Sequence, residues 1–315
     1  MTPMYNMGYK YVPIVMFVYN RASYFMKTVD ALAKCPEAEE SELYIFADGP
    51  KNESDAVKVA QVRRAVRKEM AKRRFADIKL IERKSNIGLA ANVIDGVTDV
   101  INKYGRTIVI EDDALASPHL LKFMNAALDY YEDIDHIGSI AGYTPAIEFP
   151  DNYKKDVFTA YRSCSFSWAT WKENWENVDW ELNHIKEFYN SPALIKKLNA
   201  NGSDRFTRLV RQAKGIGSSW SVRFAADLVR NGKLTIYPRY SYVINIGVDA
   251  DQIHNSIEDS DMNEIDLNRA IENFELEDPE INNDIQKALK KHYSGGGASD
   301  FKNLANTLRF AATNY

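Results

Sequence analysis

The sequence has few cysteines, no long apolar run and almost no net charge, and each shortage excludes something. Of 315 residues only Cys35 and Cys164 are cysteines, far apart in the chain. Neither a disulfide framework nor a zinc site can be read from such spacing, and two reduced thiols in a cytosolic protein is the reading favoured. The longest apolar run near the start, Val12 to Tyr19, is too short to span a bilayer and lacks the basic flank and small-residue cleavage site of a signal peptide. A soluble, cytoplasmic protein is expected. Forty basic and 44 acidic residues leave a formal charge of −4. That balance gives no general attraction to nucleic acid or to an anionic membrane. A glycine- and lysine-rich phosphate loop is also missing, as is any internal repeat.

What the chain does have is an alternating pattern. Pro13 to Tyr19 is continuously apolar and rich in β-formers, which reads as a strand buried on both faces of a parallel sheet. Asn20-Arg21-Ala22-Ser23 breaks it, with Ser23 a candidate cap for a helix to about Lys34. Leu43–Ala47 is a second strand, ending at Asp48-Gly49-Pro50, and a charged helix follows over about 54–74. Ile78–Glu82 is a third strand. The loop Asn86–Asn92 leads into a helix ending near Tyr104-Gly105. Thr107–Ile110 is a fourth strand, and Ser117-Pro118 is expected to start a helix to about Tyr131. This order predicts a doubly wound α/β sheet with right-handed crossovers. Its ligands would bind beyond the carboxyl ends of the strands. Asn20, Arg21, Asp48, Asn86 and the triplet Glu111-Asp112-Asp113 all fall there.

The triplet suits a divalent cation. Mg²⁺ and Mn²⁺ prefer oxygen ligands and often take one or two carboxylates together with phosphate and water. Such a cation offsets the charge of a nucleotide diphosphate. Because alternate residues of a strand point opposite ways, one acid is expected to take the metal while its neighbour meets the ribose. A solvated acidic turn is the plain alternative. Asp48 is a candidate acceptor for base or ribose, or simply the first residue of an Asp-Gly turn. Asn86 and Asn92 could bring amides to a nucleotide, with Gly88 allowing close approach, or could merely start a helix. His254 is a candidate ligand for metal or phosphate.

Beyond residue 145 the pattern changes. Four of the five tryptophans lie within residues 162–180, and the fifth is Trp220. Aromatics mixed with serines suit sugar recognition, whereas Trp171 and Trp175, at helical spacing, are expected in a core. A helical region (about 184–213), a strand-like stretch (Leu234 to Ile246) and a polar tail follow. Ser294 to Ser299 reads as a flexible joint. Phe301, Leu304 and Leu308 lie at helical spacing, as in a docking helix; peripheral membrane contact through this tail is the weaker thought.

With these pieces in place, the sequence resembles bacterial family 2-like glycosyltransferases of GT-A fold, related in pattern to the GlcNAc-transferase I group. The resemblance rests on Pro13–Arg21, Leu43–Glu53, Asn86–Gly96, Ile108–Asp113, Ser167–Lys172, Ser219–Phe224 and Tyr237–Gly247, and covers about residues 12–255. It implies a GT-A, Rossmann-like, mostly parallel sheet flanked by helices: a nucleotide-sugar-binding half (1–145), an acceptor-side half of the same domain (146–257) and a C-terminal helical extension (258–315). It implies a hexosyltransferase-type enzyme moving sugar from a nucleotide-diphospho-sugar, a UDP-sugar, to a glycan or lipid-linked glycan acceptor in polysaccharide synthesis, with inversion, at the inner face of the membrane. Tyr19, Asn20 and Arg21 would line the nucleobase site and Asp48 would meet base or ribose, with Asn86 and Gly88 beside the nucleotide. Glu111 and Asp112 would hold the nucleoside, Asp113 would bind Mn²⁺ or Mg²⁺, and His254 would lie near the phosphates. Trp168, Trp220 and Arg223 would face acceptor or sugar. The family usually carries an acid just before the Ser-Trp-x-x-Arg motif, where relatives place a catalytic base; here that residue is Ser218, which leaves Asp249 as the substitute candidate. The rival readings are a non-catalytic nucleotide-sugar- or glycan-binding protein and a nucleotidyltransferase.

Overall fold

The computed structural model describes residues 11–247, 265–278 and 280–294. Its centre is an eight-stranded mixed sheet. The first half follows the alternation read from the sequence: β1 (Ile14–Val18), α1 (Ala22–Leu32), β2 (Glu42–Ala47), α2 (Glu53–Met70), β3 (Asp77–Glu82), α3 (Leu89–Tyr104) and β4 (Arg106–Glu111). A short β5 (Ala114–Ala116), α4 (Leu120–Tyr131), β6 (Ile137–Ala141), β7 (Val157–Ala160) and β8 (Ser167–Trp171) come next. Helices α5 (Lys172–Glu176), α6 (Ile185–Asn190), α7 (Pro192–Leu198), α8 (Arg205–Ala213) and α9 (Trp220–Arg230) precede β9 (Leu234–Pro238) and β10 (Val243–Asn245), and α10 (Asn283–Tyr293) is the last described element.

The strand order is β3-β2-β1-β4-β8-β6-β9-β7. Strands β3, β2, β1 and β4 pair in parallel, β8 runs antiparallel between β4 and β6, β9 is parallel to β6, and β7 antiparallel to β9. Six of the eight therefore point one way, mostly parallel as expected, but the second half is not doubly wound. Between β1 and β4 the progression reverses direction. This is the switch point at which open α/β sheets leave a crevice. Register aligns the two sides of it: Val18 lies opposite Ala47, and Phe17 opposite Glu111. The residues that follow each strand therefore emerge at one level.

Side-chain chemistry explains the elements. Every residue of β1 is buried, as a strand covered on both faces requires. Asn52 caps α2, its side chain accepting from the Asp55 N–H at 2.9 Å. Gly105 ends α3 in the left-handed region at φ 79°, a conformation glycine adopts without strain. Strand β8 is buried on both faces. Trp168 packs against Trp220 and Phe224 of α9, whereas Trp171 donates its Nε1–H to Leu128 O on α4. Three residues apart in a pleat, these side chains leave opposite faces, so α4 and α9 cover the sheet from opposite sides.

Several sequence expectations need correction. Ser23 is inside α1, which Arg21 precedes without a side-chain cap. Ser117 accepts from the His119 N–H, but α4 starts only at Leu120. The region 184–213 is three short helices, and the strand-like stretch 234–246 is divided between β9 and β10, which lie in different sheets. The tail positions Phe301, Leu304 and Leu308 and the joint after Ser294 lie outside the described residues.

Candidate active site

All eight residues expected at a nucleotide (Tyr19, Asn20, Arg21, Asp48, Asn86, Gly88, Glu111 and Asp112) line one cleft of about 250 Å³, together with Lys51, Leu89 and Asn92. The cleft opens at the carboxyl ends of β1, β2 and β4. Tyr19 and Asn20 are tethered to α2: the Tyr19 hydroxyl donates to Asp55 Oδ2 at 2.7 Å and the Asn20 amide reaches Oδ1 at 3.5 Å. Asp55 was not singled out from the sequence, where it is one acid among many on a charged helix. Buried Asn92 accepts from Arg83 Nε at 3.2 Å, and the Arg83 guanidinium lies over the Phe46 ring.

Asp48 does something other than wait for a ligand. Its Oδ1 accepts the N–H groups of Gly49 and Ile87 at 2.8 and 3.0 Å. Its Oδ2 accepts the Asn86 amide at 2.9 Å and the Gly88 N–H at 3.1 Å. A carboxylate has about four lone-pair sites, so Asp48 is fully used in pinning the 86–88 loop to the end of β2. The fit is close: a Cβ on Gly49 would come 2.3 Å from the Ser85 backbone. An Asp48→Asn variant keeps the volume but turns a donor toward N–H groups. It is expected to cost about 1–3 kcal/mol and to speed hydrogen exchange at the Ile87 and Gly88 amides. Unchanged protection there would refute the pinning role.

Asp112 lines the cleft and Asp113 lies buried beside it; they are 4% and 5% exposed. Rather than dividing, the two carboxylates converge on one guanidinium nitrogen of Arg21, which lies 2.6 Å from Asp112 Oδ1 and 2.8 Å from Asp113 Oδ2. The alternation expected for the triplet fails because β4 ends at Glu111 and the next two residues form a turn into β5. The Thr28 hydroxyl fixes the Asp112 carbonyl at 2.8 Å. The antiparallel pair β5–β10 brings the Ile246 N–H to the Asp113 carbonyl at 2.8 Å. It also brings Gly247 so close that a Cβ there would stand 2.0 Å from Asp113 Oδ2. Gly247 is thus a second contact of the acid that the sequence did not reveal.

Burial raises the Asp112 pKa to about 7; Arg21 pulls it down and Asp113 pushes it up. For Arg21, burial opposes the charge, but Asp112 and Asp113 outweigh it and the pKa rises. The unfolded Asp112 loses its proton near pH 4, so between roughly pH 4 and 7 the folded chain binds a proton that the unfolded chain has released. Its contribution is fully present below that window and is lost as pH rises through the folded pKa. Relative to Asp112→Asn, the wild type should lose about 2 kcal/mol of unfolding free energy between pH 5.5 and 7.5. Paired urea titrations at the two pH values would read this, and a constant difference would mean that Asp112 stays ionised throughout.

The donor chemistry of this pair is of the kind a divalent cation takes. Two converging, buried carboxylates offer hard oxygen donors, a positive charge already occupies their meeting point, and Asp113 Oδ1 is buried without a hydrogen-bond partner. Among the described residues no three acidic, histidine or cysteine side chains gather for a metal, so phosphate and water would complete the shell.

The remaining expected site residues are not in the cleft. Trp168 is fully buried and Trp220 is 4% exposed. They stack on each other with centroids 5.0 Å apart, and Trp175 stacks on Trp168 at 5.5 Å. As placed, neither offers a ring face to a sugar: Trp168 comes from a strand buried on both faces, and Trp220 at the start of α9 is stacked on it. Arg223 donates to the carbonyls of Ser219 at 3.1 Å and Trp180 at 2.7 Å, joining α9 to the preceding loops. Asp249 and His254 lie outside the described residues.

No protein-family model matches the sequence, and no curated protein does. Among solved structures, TarS of S. aureus aligns at 12% identity and TM-score 0.47, over 74% of this chain and 36% of its own. A TarS fragment, residues 1–349, aligns at 11% and 0.47, over 74% and 59%. The chain thus spans less than two thirds of either. A mannosyltransferase from Pyrobaculum calidifontis, solved with GDP-Man and Mn²⁺, aligns at 11% identity and TM-score 0.48, over 98% of this chain and 85% of its own.

Proposed function

We propose that this chain is a GT-A glycosyltransferase that binds a nucleoside-diphosphate sugar, a UDP-sugar, in the cleft and transfers the sugar to a carbohydrate acceptor in glycan synthesis. The observation that carries the proposal is the buried Asp112–Asp113 pair converging on Arg21 of the cleft at the sheet's switch point, with one carboxylate oxygen unsatisfied. Burying two acids side by side is costly, and a site that recruits a cation and a polyanion gives that cost a use.

In this reading Tyr19 and Asn20, held by Asp55, meet the base. Asp48 shapes the loop beside it through Asn86 and Gly88, and Glu111 and Asp112 hold the ribose. Arg21 offsets diphosphate charge. Asp113 would hold Mn²⁺ or Mg²⁺, with His254 as a further candidate ligand; the metal supplies Lewis-acid stabilisation of the departing diphosphate. Transfer is by direct displacement: the acceptor hydroxyl attacks the anomeric carbon, the bond to the diphosphate breaks, and the hydroxyl proton passes to a carboxylate, for which Asp249 is the candidate. Opposite anomeric configurations in donor and product, read by NMR, are expected; retention would end this version. The acceptor side belongs to residues 146–257 and the extension to 258–315. Among the described residues no helix is long and apolar enough to cross a membrane.

The deciding experiment is calorimetric titration with UDP, GDP, CMP and dTDP, each with Mn²⁺ and again with EDTA. Metal-dependent binding of one nucleotide supports the reading and selects the sugar donors for a transfer assay. No binding to any of them by folded protein would sink it. Metal-dependent binding without turnover on any donor would favour a non-catalytic nucleotide-sugar-binding role.

A further inference from the structure

A second cavity, of about 270 Å³, lies among residues 144–149, 239–241 and 265–269. It sits where the chain leaves the carboxyl ends of β6 and β9. These strands run in the direction of β1 and β4, so this cavity and the nucleotide cleft open at the same edge of the sheet. Its wall is fixed by backbone-anchored bonds: the Thr144 N–H donates to Ser241 Oγ at 3.1 Å, the Thr144 hydroxyl to the Pro238 carbonyl, and the Arg239 N–H to the Asp156 carbonyl at 2.6 Å.

The cavity's charge is unusual. The Arg269 guanidinium lies 4.3 Å from the Tyr240 ring centroid and that of Arg239 lies 5.3 Å from it. Arg239 also lies 5.7 Å from the Phe149 centroid. Two cations are thus held within about 10 Å of each other, roughly one Debye length at 0.1 M salt. Among the described residues neither has a carboxylate within ion-pair distance, and Arg239 Nε is buried without an acceptor. The one acid in the lining, Asp266, has its Oδ1 engaged by the Asn268 N–H at 2.9 Å and the Asn268 amide at 2.8 Å. Stacking on a ring fixes the plane of a guanidinium and leaves its N–H edge for an oxyanion, which it meets in a bidentate way.

The cavity is wired to the proposed transfer point. Tyr240 and Ser241 line it, β10 follows at once, and Gly247 closes on Asp113. Seven residues of extended chain reach at most about 25 Å, a span that a short oligosaccharide covers.

We infer that this cavity is an acceptor subsite for an anionic glycan, in which Arg239 and Arg269 grip a phosphate or carboxylate carried by a sugar of the acceptor. The inference rests on the glycosyltransferase reading and narrows it, since neutral glycans would leave both guanidinium groups without a counter-charge. These two residues would select substrate and take no part in bond making.

The test is NMR titration of the full chain with D-glucose, D-glucose 6-phosphate, D-glucuronate and inorganic phosphate, repeated on Arg269→Gln and Arg239→Gln. Arg269 is exposed, so its variant should fold even if the other does not. At least one of the two charged sugars is expected to bind at least tenfold tighter than glucose and than inorganic phosphate, and Arg269→Gln should lower that affinity at least tenfold. The better ligand of the two identifies phosphate or carboxylate as the natural group. Equal binding of glucose, equal binding of inorganic phosphate, or retention of charged-sugar affinity in Arg269→Gln would each overturn the inference. Binding of UDP with Mn²⁺, followed in the same samples, should be unchanged by Arg269→Gln. Its absence in the wild type would count against the glycosyltransferase reading itself, separately from the subsite.

Discussion

Asp113→Ala is expected to abolish metal-dependent nucleotide binding, at least a hundredfold in affinity, while leaving the ligand-free protein as stable as the wild type or more so. Each half of that outcome has its own cause. Asp113 is buried, with one oxygen on Arg21 and the other without a partner, and an unsatisfied buried polar atom is a net cost to folding. Alanine removes that cost and leaves Arg21 with Asp112. Under the proposed function the same oxygen takes the cation, so its loss should remove the metal and the diphosphate that depends on it. Thermal unfolding separates the two effects. A ligand at a hundred times its dissociation constant stabilises by about 2.7 kcal/mol, and this shift should appear in the wild type with Mn²⁺ and nucleotide but not in the variant. If the shift persists in Asp113→Ala, the cation is held elsewhere. If the ligand-free variant is strongly destabilised, Asp113 is a structural partner of Arg21.

Much of this site was readable from the sequence because of where it lies. Runs such as Pro13–Tyr19 admit few readings other than a doubly covered strand, and in a parallel sheet the polar residues just past each strand end share one edge. That argument gathers Asn20, Arg21, Asp48, Asn86 and the acidic triplet, and all of them except Asp113 line one cleft. It failed where partners are remote in sequence. Nothing in Ser167–Trp171 tells that it inserts antiparallel between β4 and β6, since its two partners lie some 60 and 30 residues earlier in the chain. Helix α9 was hidden for a related reason: Trp220 and Arg223 looked like chemistry, yet one packs and the other clips carbonyls. Asp48 shows a further limit. An acid before a glycine reads equally as a ligand contact or a loop anchor, and only its four donors decide. Arg239 and Arg269 carried no signal, being ordinary surface cations until the fold sets them around one ring.

Trp168→Ala should be the most destabilising of the substitutions considered, by about 3–5 kcal/mol. Trp168 is fully buried in β8 between Trp175 and Trp220, with Phe224 beside it. Truncation therefore removes several ring contacts, each worth about 0.5–1.5 kcal/mol beyond area burial, and leaves a cavity that a two-faced strand cannot collapse to fill. Trp168→Phe should cost much less. The Nε1–H has no acceptor to lose, and the six-membered ring retains most of the stack. Urea denaturation followed by circular dichroism would measure both variants, with nucleotide and Mn²⁺ affinity measured on the folded fraction. A sugar platform would behave in the opposite way: alanine would keep stability and lose binding of sugar-bearing ligands, and phenylalanine would restore part of that binding. A loss of stability with unchanged nucleotide affinity would place Trp168 in the core that holds β8 and α9 together. The acidic pair just past β4 would then depend on it only through the rigidity of the sheet.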